Sequence, residues 1–275
     1  MVQATSTLTC LEARIDWISA SSRAGDCAGQ LRELANTCVR AEELAGDRRA
    51  EWGLHGWMGE RCGGWRWGTC DAGTIVQVSG PEAELWAVTL AQLATKWSRV
   101  DFAVTVRDET CRVDPATENY HHAAVGTASS GRTARRGLVL QTDGARTLYC
   151  GSRRSALFGR IYDKFVESGG LFPAGTWRWE VECKRHAAEQ ARERALCGMV
   201  GNTYVLDTAC SAFRLWNIDV PWGADASVAW PNPVRPERDA ERSLRWLAIY
   251  VAPTIQWLEG VIGAKRVRSA LGMIV

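Results

Sequence analysis

Two carboxylates placed two residues apart are where chemistry first suggests itself. In Trp177-Arg178-Trp179-Glu180-Val181-Glu182-Cys183-Lys184, apolar and polar side chains alternate. The stretch therefore reads as a strand with Trp177, Trp179, Val181 and Cys183 inward. Glu180 and Glu182 then project side by side from the other face, between Arg178 and Lys184. Like charges that close repel unless a cation, a basic neighbour or a proton offsets them. A hard divalent ion held by oxygen ligands is one solution, and the flanking cations are another. An exposed, solvated charged face is the plain alternative. Asp101 favours the ion. Val100, Phe102, Val104 and Val106 form the apolar face of another strand, and Asp101, Ala103 and Thr105 leave from its back. If the two strands are neighbours, Asp101 reaches the same site.

Tyr162 is the second group of interest. An extended Arg160-Ile161-Tyr162-Asp163-Lys164 puts Arg160, Tyr162 and Lys164 on one face. A phenol titrates near 10 and needs a metal, a cation or a base to attack at neutral pH. Flanking cations would hold a phosphate and favour the phenolate, although a structural tyrosine at a basic edge would look the same. The surroundings are basic: Arg132, Arg135, Arg136, Arg146, Arg153, Arg154, Arg160 and Lys164 are opposed only by Asp143 and Asp163. Such a cluster can neutralise phosphates although the whole chain carries a net charge of only +2.

The elements that must position these groups can be read from periodicity. Strands are expected at Ala13–Ala20, Thr74–Ser79, Val100–Val106, Gly137–Gln141, Thr147–Cys150, Arg160–Phe165 and Trp177–Lys184. Helices are expected at Ala28–Ala45, Glu82–Trp97, His186–Cys197, Tyr204–Trp216 and Glu241–Gly260. Glu51–Thr69, rich in Trp and Gly, reads as loops or short strands. Arg112–Arg136 lacks periodicity and reads as a long loop or arm. The mixture implies an α+β fold with helices on one face of the sheet. One domain spanning 1–275 is expected, with a division into two sub-lobes near 112–136 as the alternative.

Composition excludes several classes. With 275 residues, 46% of them hydrophobic, a sizeable core is available and wholesale disorder is excluded. No apolar run is long enough for a membrane span, and no secretory signal opens the chain. A cytoplasmic protein is expected. The ten cysteines include no C-x-x-C pair, so a zinc site has no support and reduced thiols are expected. Of the fourteen tryptophans, Trp52, Trp57, Trp65 and Trp67 are candidates for stacking unpaired bases. Core packing is their commoner fate. His121-His122 reads as a solvated loop pair.

Taken in order, several segments resemble the replication initiation factor family of rolling-circle plasmids and phages, the Rep_trans type, and its relatives among relaxases of integrative conjugative elements. Arg14-Ile15-Asp16-Trp17 is similar to the opening strand, and Val76-Gln77-Val78-Ser79-Gly80 to the next segment. Arg99-Val100-Asp101-Phe102-Ala103 is similar to the Arg-x-Asp-Leu-Ala strand. Thr147 to Ser155 with Arg160-Ile161-Tyr162-Asp163-Lys164 resembles the most diagnostic block, and Arg178-Trp179-Glu180-Val181-Glu182 matches Arg-x-Glu-x-Glu. Leu244-Arg245-Trp246-Leu247 with Val251-Ala252-Pro253-Thr254 is similar to the C-terminal helix of phage-type members.

The resemblance implies a metal-dependent DNA nickase and strand transferase that starts rolling-circle replication. Tyr162 is the implied nucleophile, forming a 5′-phosphotyrosine and freeing a 3′-hydroxyl. Asp101, Glu180 and Glu182 are the implied ligands of Mg²⁺ or Mn²⁺. Arg160, Lys164 and Arg178 would grip phosphate oxygens, and Arg153, Arg154, Arg132, Arg135 and Arg136 would hold DNA. The implied fold is an antiparallel-rich central sheet, a variant of the HUH nickase without the His pair, since no His-x-His strand exists. Thr105 stands where family members often carry a second acid. Host helicase and polymerase are implied partners, with homodimers as the working form and no membrane. A conjugative relaxase with the same chemistry is one alternative, although the length leaves little room for an added N-terminal module. The other is a non-catalytic origin- or operator-binding protein, which would need the arginines but not the carboxylates.

Overall fold

The computed structural model describes residues 8–108, 114–123, 136–142, 144–223, 228, 230 and 252–270. Met1–Pro231 forms one compact unit and Asn232–Val275 another. The second unit contributes α8 (Ala252–Ile262) and α9 (Ala264–Ala270). Of the helix expected at Glu241–Gly260, residues 241–251 lie outside the described residues. No described helix is long and apolar enough to cross a membrane.

The first unit is an α+β fold built on a ten-stranded sheet. Its strands are β1 (Leu8–Arg23), β2 (Ala50–Leu54), β3 (Trp57–Cys62), β4 (Trp65–Cys70), β5 (Gly73–Ser79), β6 (Lys96–Asp108), β7 (Arg136–Leu140), β8 (Arg146–Gly151), β9 (Leu157–Asp163) and β10 (Thr176–Lys184). They lie in the order β2-β3-β4-β5-β1-β6-β10-β9-β8-β7. Every pairing is antiparallel.

Helices α1 (Ala28–Leu44), α2 (Pro81–Leu85), α3 (Ala87–Leu93), α6 (His186–Leu196) and α7 (Asn202–Leu215) enclose the core against one face. The short α4 (Pro115–Ala123) and α5 (Lys164–Glu167) complete the unit. From α1 come Leu31, Ala35 and Val39, from α3 Leu90, and from α7 Val205 and Phe213. The sheet answers with Ile15, Ile18, Val76, Val78, Phe102, Val104, Trp179 and Val181, all essentially inaccessible. A buried aliphatic or aromatic side chain contributes about 1.5–3 kcal/mol, so this face fixes the register. A one-residue slip of β10 would drive Glu180 and Glu182 into the core in place of Trp179 and Val181.

Several local details depart from simple periodicity. Ile15 and Trp17, two residues apart in the strand expected at Ala13–Ala20, do not share a face. A register shift between Ile15 and Trp17 adds one residue to β1, so Ile15 and Ile18 both reach the core and Trp17 turns to the other side. The helix expected over Glu82–Trp97 is two short helices that meet at Trp86, and Trp97 belongs to β6 with its ring buried in the core. Of the two alternatives for Glu51–Thr69, loops or short strands, the structure has short strands, the β2–β3–β4 meander. The Arg112–Arg136 stretch contains α4, whose first turn is held by Asp114 accepting from the Ala116 and Thr117 amides at 3.1 Å. His121 lies in α4 beside Tyr120. Every described cysteine is a free thiol.

Candidate active site

The face of the sheet opposite the core carries the polar side chains. Glu182 is paired with Asp101 across β10 and β6, Glu180 with Arg160 across β10 and β9, and Arg178 with Tyr162 one step further. Cross-strand partners point to the same side. Asp101, Arg160, Tyr162, Arg178, Glu180 and Glu182 therefore stand together on one surface, as the alternation of two apolar strands requires. Opposite them, Gly159 keeps β9 close to the helices, where an added Cβ would lie 2.6 Å from the Trp216 ring.

Glu180 is the centre of this group. It is nearly buried, with 6% of its surface exposed. The Tyr162 hydroxyl donates to its Oε1 at 2.6 Å. Arg160 donates to its Oε2. Arg178 stands behind it, with Nε 3.2 Å from Glu180 Oε1 and Nη2 2.9 Å from Asp16 Oδ1. These contacts are ionic but lie off the N–H directions, because neither Nε nor Nη2 makes a hydrogen bond among the described residues. Arg178 is thus a buried cation with unspent donors, which an additional anionic oxygen would satisfy. Burial, then the Glu180 carboxylate, push the Tyr162 phenol above its ordinary range, against the pull of Arg178. The flanking cations therefore do not favour the phenolate here. Tyr162 is a neutral donor to a carboxylate.

Asp101 and Glu182 form the second half of the group. Arg99 lies between them, with Nε 2.8 Å from Asp101 Oδ1 and Nη2 bonded to Asp101 Oδ2 and 3.1 Å from Glu182 Oε2. Lys184 pairs with Glu182 on its other side. Burial pushes the Asp101 carboxyl up to about 6, although Arg99 pulls it down. Hard oxygen donors facing each other across two strands have the right chemistry for Mg²⁺ or Mn²⁺. A guanidinium, itself a cation, now bridges them. Among the described residues no three acidic, His or Cys side chains are gathered into a metal cage.

The other expected residues fall in different places. Lys164 does not continue the strand. It opens α5, capped by Asp163, which accepts from the Val166 amide at 3.1 Å. Its ammonium pairs with Glu167 at 2.6 Å and sits 6.0 Å from the Tyr162 ring centroid. Arg153 and Arg154 are exposed in the turn after β8. The Arg153 guanidinium lies over Tyr149 and Phe158, whose rings stack with centroids 5.8 Å apart. Arg136 does not join this surface. It pairs in register with the core residue Cys150 and donates to the Trp216 carbonyl on the helix side. Arg132 and Arg135 lie outside the described residues.

Sequence reading gave no role to Asp16, Arg14, Arg99 or Trp17. Asp16 fixes both Arg178 and Arg14, the latter through Nε at 2.9 Å. The one available signal was the Arg99-x-Asp101 spacing, which puts cation and carboxylate on the same strand face.

The site thus gathers a tyrosine, carboxylates and arginines on the face of an antiparallel α+β sheet opposite the core. The chain belongs to the replication initiation factor family, whose sequence pattern matches residues 95–267. Its fold is similar to that of the rolling circle replication initiator protein from Geobacillus stearothermophilus. That similarity has a TM-score of 0.52 at 16% identity and covers 74% of this chain and 85% of the other. No curated protein matches the chain.

Proposed function

We propose that this chain starts rolling-circle replication by nicking one DNA strand, with Tyr162 as nucleophile and Glu180 as the base that receives its proton. The observation that carries the reading is the 2.6 Å hydrogen bond from Tyr162 to Glu180, a carboxylate itself held by Arg160 and Arg178. A nucleophile in reach of a base that a third group orients is the general arrangement for covalent catalysis. The phenol stays neutral until its proton passes to Glu180. As it does so, the Tyr162 oxygen bonds to phosphorus and the bond to the 3′ oxygen breaks. That oxygen takes a proton from solvent, leaving a 5′-phosphotyrosine and a free 3′-hydroxyl. The unspent N–H groups of Arg178, with Arg160 and Lys164, support the charge on the phosphate oxygens.

Asp101 and Glu182 would hold Mg²⁺ or Mn²⁺, with Glu180 adjoining them. A bound ion supplies Lewis-acid polarisation of the scissile phosphate. The 3′-hydroxyl primes a host polymerase. A host helicase and a second copy of the chain are the further partners this reading calls for.

The test is a nicking assay on supercoiled DNA carrying the region that flanks this gene, resolved on denaturing gels with and without Mn²⁺. Wild type should yield a protein–oligonucleotide adduct whose nucleotide maps to the Tyr162 peptide. Tyr162→Phe should bind DNA and form none. An adduct on Tyr149, or nicking by the Phe variant, would overturn the assignment.

A further inference from the structure

The face that carries Tyr162 does not end at the residues matched by the family. It continues through β1 onto β5, β4 and β3, which precede residue 95. One register row across this extension reads Arg61, Arg66, Gln77, Ser19, Arg99 and Lys184. With strands about 4.8 Å apart, six strands span roughly 24 Å.

Arg61 and Arg66 are direct cross-strand partners. Like charges so placed destabilise a sheet unless an anion answers them, and among the described residues neither forms an ion pair. The nearby carboxylates of the meander, Glu51 and Glu60, are paired with each other in register on the opposite face. Arg66 is half-buried, and burial together with Arg61 lowers its pKa. Its guanidinium lies 4.9 Å from the centroid of the Trp17 ring, and that of Arg99 lies 5.3 Å from the same centroid. The Trp17 indole N–H is buried without a hydrogen-bond partner. Trp52 lies on the same side, with Cζ3 3.1 Å from where a Gly68 Cβ would stand. Two unanswered cations beside the Trp17 and Trp52 rings suit a strand whose phosphates and base faces are both available.

We propose that the β3–β4 extension is a single-stranded DNA track, in which Arg61 and Arg66 take phosphates of the strand that reaches Tyr162 and Trp52 offers its face to a base. The inference rests on the nicking reading and names a surface for its substrate. Trp17 links the track to the site, since its ring meets Arg66 on one flank and Arg99, the bridge between Asp101 and Glu182, on the other.

Fluorescence anisotropy with a labelled 30-nucleotide oligo(dT) tests it without any nicking. Each phosphate contact on a single strand contributes about 0.7 to the slope of log affinity against log salt. The Arg61→Ala/Arg66→Ala double variant should therefore lose about 1.4 of slope. The double Lys variant should retain it, and Arg40→Ala on the exposed side of α1 should match wild type. An unchanged slope, a loss confined to duplex DNA, or no binding of oligo(dT) by wild type would overturn the track. Absence of an adduct in wild type, with the slope change present, would refute the nicking reading and leave the track standing.

Discussion

The face of the sheet opposite the core has two halves that handle charge differently. Around β6, β9 and β10, cations and carboxylates alternate: Arg178 lies between Asp16 and Glu180, Arg160 meets Glu180, and Arg99 bridges Asp101 and Glu182. Around β3 and β4, Arg61 faces Arg66 and no described carboxylate meets either. The first half can hold its geometry before any ligand arrives, because each buried charge already has a partner. The second half retains net positive charge for something outside the protein. Pre-organisation suits the atoms that react, and unspent charge suits the strand that must be held.

The largest effect should come from the centre of the first half. Glu180→Gln keeps the shape and can still accept from Tyr162, but its amide is not a useful base. Removing a positioned general base costs about 10²–10⁴ in rate. Single-turnover nicking should fall by that amount while oligo(dT) affinity holds. Undiminished nicking would show that Glu180 only orients Tyr162.

The same substitution in each half measures the contrast directly. Arg178→Ala removes the buried cation shared by Asp16 and Glu180. Because these carboxylates keep Arg14 and Arg160, the loss should be about 2–3 kcal/mol, below the roughly 3–5 kcal/mol of a fully broken buried pair. Arg66→Ala forfeits a cation–π contact worth about 0.5–1 kcal/mol at an exposed site and relieves the repulsion from Arg61. Urea denaturation should find the first variant strongly destabilised and the second close to wild type. Equal losses would mean that Arg66 has a structural partner after all.

Arg99→Ala tests the join between the halves. Asp101 is nearly buried but Arg99 is a third exposed. The loss should thus lie between the surface and buried limits, about 1–2 kcal/mol. Two facing carboxylates would then be left without their bridge. Mn²⁺ should raise the melting temperature of this variant more than that of wild type, because a ligand bound only by the folded state stabilises it. No response to Mn²⁺ in either protein would remove Asp101 and Glu182 as ligands.

Sequence reached the two halves unequally, for a physical reason. Strict alternation in β6 and β10 put Asp101 on the polar side of one strand and Glu180 and Glu182 on that of the other, because a buried apolar face leaves the other side no freedom; that the strands are neighbours comes from the fold. The same rule failed in β1, where an inserted residue turned Trp17 outward, since a bulge has no signature in hydrophobic pattern alone. It failed again at Lys164, where Asp163 caps a helical turn that an extended reading does not anticipate. The meander was least legible. Its Trp and Gly residues left loops and short strands as alternatives, because glycines interrupt the apolar alternation and the strands are only five or six residues long. The Glu180–Tyr162 hydrogen bond was likewise invisible, as it depends on the register between β9 and β10.

The smallest expected change in stability carries the sharpest question about the second half. Gly68 lies on the same face as Arg66, in contact with Trp52. An added Cβ would come within 3.1 Å of Trp52 Cζ3 and 3.3 Å of the Met58 backbone, so the indole must move by a few tenths of an ångström. Gly68→Ala also restricts the unfolded chain, which favours folding by about 0.4–1 kcal/mol. The two effects nearly offset, and the urea midpoint should shift little. Oligo(dT) affinity is a separate matter. Base–aromatic stacking contributes about 1–3 kcal/mol per base, and a displaced Trp52 would forfeit part of it. The expected result is weaker oligo(dT) binding with an unchanged salt slope, since no phosphate contact is lost. Unchanged affinity with unchanged stability would show that Trp52 packs against the meander and stacks on nothing, leaving Arg61 and Arg66 to hold the strand by charge alone.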